Sequence, residues 1–92
     1  MIKNLKDKFT DALITADFVY LAKEKTKGDS WNESSLTCLY RKMKRHNIQL
    51  GSMIADADVD LGAIRQKATD VLLYSLMISE RARILIDEEK EM

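Results

Sequence analysis

The sequence predicts an all-α protein, and three observations carry that expectation. Proline is absent and only three of the 92 residues are glycine, so most of the breakers that a many-stranded β fold needs at its turns are missing. Apolar side chains recur in steps of three and four along three stretches, the spacing of one helix face. The interruptions fall where helix ends are signalled, at Gly28 and among the aspartates of residues 56–60. At this length the chain is a single domain, 1–92, and one core of that size is only marginally stabilising. The expected architecture is a three-helix unit with a long C-terminal helix, dimerising into a larger bundle.

The first predicted helix carries Ile2, Leu5, Phe9, Ala12, Leu13, Ala16, Val19 and Tyr20 on one face. It should stop near Lys27, because Gly28 takes the left-handed C-cap conformation without steric cost. Lysines at 23, 25 and 27 oppose the partial negative charge of a helix C-terminus. Ser30 and Glu33 have capping-box spacing for the second helix, with Asn32 or Ser34 as alternative caps. Its stripe is Leu36, Leu39, Tyr40, Met43, His46, Leu50, Met53 and Ile54, and Gly51 weakens it near the end. Asp58 or Asp60 should cap the third helix, which carries Leu61, Ile64, Ala68, Val71, Leu72, Leu76, Ile78, Ala82 and Leu85. Within it "VLLYSLMI" is apolar on almost every side, which predicts burial on two fronts, one of them a partner chain. The acidic tail "DEEKEM" is expected to fray.

Charge and cysteine usage bound the setting. The formal net charge is zero, yet residues 1–46 hold ten bases against six acids and residues 47–92 hold five against nine. Halves of about +4 and −4 suit antiparallel packing better than a nucleic-acid partner. The single cysteine, Cys38, makes no internal disulfide, which fits a reduced cytoplasm. The N-terminus lacks an apolar leader run, and the longest apolar run, residues 71–78, is too short to cross a bilayer, so no membrane partner is expected.

Several residue clusters are candidates for chemistry, and most have a plain structural explanation. Asp56, Asp58 and Asp60 alternate like the start of a calcium loop, but Leu61 and Lys67 stand where that loop has glycine and glutamate. "RKMKRH", residues 41–46, places Lys42 and Arg45 one turn apart as a phosphate grip, or as part of a solvated basic face. His46 falls on the apolar stripe, as a packed core or interface histidine does, and with no second histidine a zinc site lacks its ligands. Cys38 and the five methionines read as packing residues. Asp70 lies in the most apolar part of the chain, where a carboxylate needs a cationic partner or a metal to stay ionised.

Taken together, Lys23, Gly28-Asp29-Ser30-Trp31, Lys42, Arg45, Asp70 and Tyr74 resemble the pattern of the nucleotide-modification-associated, MazG-like small proteins of phages and bacteria. Those belong with the all-α nucleoside triphosphate pyrophosphatases, and the resemblance runs from about residue 18 to residue 85. It implies an all-α fold that assembles through its long helices, and Lys23, Asp29, Trp31, Lys42 and Arg45 as nucleotide-binding residues. It also implies Asp70 as a metal residue and, in active members, Mg2+-dependent release of pyrophosphate. The pattern's glutamate-rich EExxE and ExxD segments are reduced here: the second helix has no acid between Leu36 and Ala55, and Lys67 replaces the glutamate of ExxD in "KATD". Glu24 and Lys27 stand where an asparagine and a tyrosine are expected. The resemblance thus implies binding of a (deoxy)nucleoside phosphate with or without hydrolysis. The alternative is a non-catalytic helical interaction protein of the kind with which a phage modulates a host protein.

Overall fold

A computed structural model describes residues 4–27 and 30–90, the side chains of residues 25–27, 30 and 32 excepted. Its elements are α1 (Leu5–Lys8), α2 (Thr10–Lys27), a 3-10 turn (Ser30–Glu33), α3 (Leu36–Ala55) and α4 (Leu61–Lys90). No strand occurs among the described residues, so the all-α expectation and the long last helix both hold.

The local physics departs from the sequence reading in three places, at Phe9, at the α3 cap and at the C-terminal tail, and agrees with it at the α4 cap. The first helix is interrupted at Phe9, whose backbone leaves helical geometry (φ −118°, ψ 34°). The Thr10 hydroxyl competes for the turn by donating to the carbonyls of Lys6 (2.8 Å) and Asp7 (3.2 Å). The α3 N-cap is Ser35, one residue beyond the latest cap considered: its hydroxyl accepts from the Cys38 N–H at 3.1 Å, while residues 30–33 wind into the 3-10 turn. Asp60 caps α4 by accepting from the Gly62 N–H at 3.1 Å. Finally, α4 stays helical to Lys90, Arg83 pairing with Glu80 and with Asp87 across its surface, so the tail expected to fray is ordered as far as residue 90.

The α3–α4 hairpin is the packed heart of the molecule. Leu39 (1% exposed) and Leu73 (6%) are buried, α2 adds Ala16 (4%), and the buried Thr69 satisfies its hydroxyl on the Arg65 carbonyl at 3.0 Å. Full burial of a leucine contributes about 2 kcal/mol. The sequence stripe for α4 is therefore rotated: Leu73 and Thr69 face inward, whereas Leu61 and Leu76, both assigned to the buried face, are exposed. Gly51 sits in the interior of α3, where an added Cβ would meet nothing within 4 Å.

A core this small leaves much apolar surface outside. Ile14, Phe18 and Leu21 of α2, Ile48 and Ile54 of α3, and Leu76 and Ile86 of α4 are all more than half exposed. The radius of gyration is 15.4 Å, above the ~12 Å of a compact domain of this length. Among the described residues no helix is long and apolar enough to cross a membrane.

Candidate functional site

Where α2, the 3-10 turn, α3 and α4 meet, the side chains enclose a cleft of about 100 Å³. Lys23 and Tyr20 come from α2, Trp31 from the turn, Lys42 from α3, and Leu73, Tyr74 and Met77 from α4. The cleft shares Tyr20, Trp31, Leu73 and Met77 with a larger apolar cavity of about 420 Å³ that runs between α2 and α4, with Asp17 and Glu80 at its polar edge. Tyr20 and Trp31 form the partition between the two, the indole N–H donating to the Tyr20 hydroxyl at 3.3 Å. The corner is held to the bundle by Arg81, whose Nε donates to the Ser34 carbonyl at 3.2 Å.

Behind the cleft lies a polar cluster on the α3–α4 seam. Asp70, with a side chain 14% exposed, accepts from Lys23 Nζ at 3.0 Å, so its cationic partner is a lysine of another helix. His46 stacks on Tyr74, ring centroids 5.2 Å apart. Lys67 Nζ lies 2.9 Å from Gln49 Oε1 and 3.3 Å from His46 Nδ1. An ammonium only donates, so Nδ1 is the acceptor and His46 is neutral in this arrangement. Nδ1 is also 3.9 Å from Asp70 Oδ2, too long for a hydrogen bond and lacking a proton to share. Burial lowers the His46 pKa, and Lys67, Lys23 and Arg45 lower it further against the opposing pull of Asp70.

Of the residues expected at a site, the fold brings Lys23, Trp31 and Lys42 to one cleft, with Asp70 one ion pair away. Arg45 is exposed and does not line the cleft, although it lies one turn from Lys42 on α3. Asp29 and Gly28 lie outside the described residues. The sequence reading left Tyr20, Gln49 and Lys67 unassigned; the signal for Lys67 was its i, i+3 spacing from Asp70, which puts both on one side of α4. Among the described residues no three histidine, cysteine, aspartate or glutamate side chains gather as a metal site. Asp70 has Lys23 Nζ at 3.0 Å and His46 Nδ1 at 3.9 Å, and Lys67 lies against His46 on the same seam.

No protein family, curated protein or solved structure matches the chain.

Proposed function

We propose that the protein binds a (deoxy)nucleoside phosphate in the cleft at the α2–α3 corner. The observation that carries this reading is the convergence of Lys23 and Lys42 with Tyr20, Trp31 and Tyr74 around one cleft that opens on an apolar cavity. Ammonium groups grip phosphate oxygens, aromatic faces take a base, and the neighbouring cavity gives the base room. Phosphate would compete with Asp70 for Lys23, so Lys42, which carries no such partner in the ion pairs described, is the stronger grip. Mg2+, when it takes part, would arrive on the phosphates, with Glu24 in the cleft wall and Asp70 behind Lys23 as the carboxylates at hand. The reading covers binding with or without pyrophosphate release.

Trp31 is the only tryptophan, so its emission reports the cleft directly. Titration with ribo- and deoxyribonucleoside triphosphates, with and without Mg2+, should give saturable quenching, and Lys42→Ala should raise Kd about tenfold. Unchanged emission with every nucleotide at about millimolar concentration, far above useful affinity, would overturn the proposal. A second reading, a non-catalytic helical interaction protein, is favoured by the exposed Ile14, Phe18 and Leu21, and a flat nucleotide panel would leave it standing.

A further inference from the structure

The outer face of α2 carries an apolar stripe that the packing of the described residues does not use. Ile14, Phe18 and Leu21 are spaced i, i+4 and i+7 and are 62%, 76% and 51% exposed. They lie opposite Ala16 and Tyr20, the side of α2 that meets α4. Asp11 flanks the stripe seven residues before Phe18, and Lys25 occupies the register position seven residues after it.

We propose that this face pairs with the same face of a second copy, antiparallel, about a two-fold axis at Phe18. In that register Phe18 meets Phe18, Ile14 meets Ala22, Leu21 lies at the level of Thr15, and the Asp11 position of each chain meets the Lys25 position of the other. Charge and apolar pattern are thus complementary to themselves, which a two-fold contact requires. Ile54 and Leu61, by contrast, flank Asp56, Asp58 and Asp60, so two copies brought together there would oppose like charges. A single helix pair covers less than the about 800 Å² per partner of a standard interface, so the expected dimer is reversible with a micromolar Kd. This proposal stands independently of nucleotide binding.

Sedimentation equilibrium tests it. The full chain should show a reversible dimer, and Phe18→Glu should be monomeric at the same concentration with unchanged helical circular dichroism. Asp11→Lys and Lys25→Asp should each weaken self-association about tenfold through like-charge contacts, and their equimolar mixture should recover the affinity of the original chain. The mixing arm decides the matter even if Phe18→Glu fails to fold. A chain that stays monomeric at about 100 µM, a Phe18→Glu variant that still dimerises, or a mixture no tighter than either variant alone would each overturn the proposal.

Discussion

The two seams of the bundle differ in kind. Between α3 and α4, Leu39 and Leu73 are buried to within a few per cent, and the polar residues that enter the seam find partners: Lys67 with Gln49 and His46, and His46 against Tyr74. Among the described side chains of α2 only Ala16 reaches comparable burial against α4, and beside it lies the cavity of about 420 Å³. That seam is held at separated points, Arg65 donating to the Thr15 hydroxyl at 2.9 Å and Lys23 pairing with Asp70 at 3.0 Å. Small residues and point contacts leave a gap that interdigitated leucines would close, so the α3–α4 seam is tightly packed and the α2 side holds open space.

The sharpest way to break this contrast is to empty the first seam. Leu39→Ala should cost about 3 kcal/mol, lowering Tm by roughly 10–20 °C in a thermal melt, whereas Leu13→Ala, on the cavity wall, should cost less than half as much. Comparable losses at the two positions would mean that the seams are packed alike. A smaller effect is expected at the tether: Asp70→Asn should cost about 1 kcal/mol, since Lys23 is 44% exposed and solvent already screens the pair. Its loss should weaken with added salt, which chemical denaturation at two ionic strengths would reveal.

The smallest effect concerns His46, the only histidine. Its folded-state pKa lies below the ordinary 6.5, so on acidification the unfolded chain takes up a proton before the folded one does. Stability is therefore full above about pH 6.5 and falls as the pH drops below it, the loss levelling off beneath the folded pKa. Melts of His46→Gln across that window should show a shallower slope than the original chain, and an unchanged slope would place the titration elsewhere.

How far these features were legible in the sequence depends on the range of the interaction that sets them. Helical class, a long last helix and a cap at Asp58 or Asp60 follow from local spacing, whereas the extension of α4 to Lys90 rests on side-chain pairs such as Arg83–Asp87. Ser35 was missed because Ser30, Asn32, Ser34 and Ser35 all offer caps within six residues, and the choice rests on how the 3-10 turn winds. The inward face of α4 was misassigned because "VLLYSLMI" is apolar all round, so periodicity within it carries little phase information and only its contact with α3 selects Leu73. Lys23, Trp31 and Lys42 could be named as candidates, and Asp70 was flagged as a carboxylate in need of a partner. The Lys23–Asp70 pair joins residues 47 apart in sequence, and no local rule supplies it.

Gly51 gives α3 an unevenness that its continuous geometry conceals. A helix-interior glycine costs about 1 kcal/mol relative to alanine, and here no neighbour comes close enough to reward the missing side chain. The cost falls on the last turn, residues 51–55, while the turns around Leu39 and His46 are locked to α4. In structure α3 is one rod, but Gly51 makes residues 51–55 its weakest turn, so amide exchange is expected to be faster there than around Leu39 and His46.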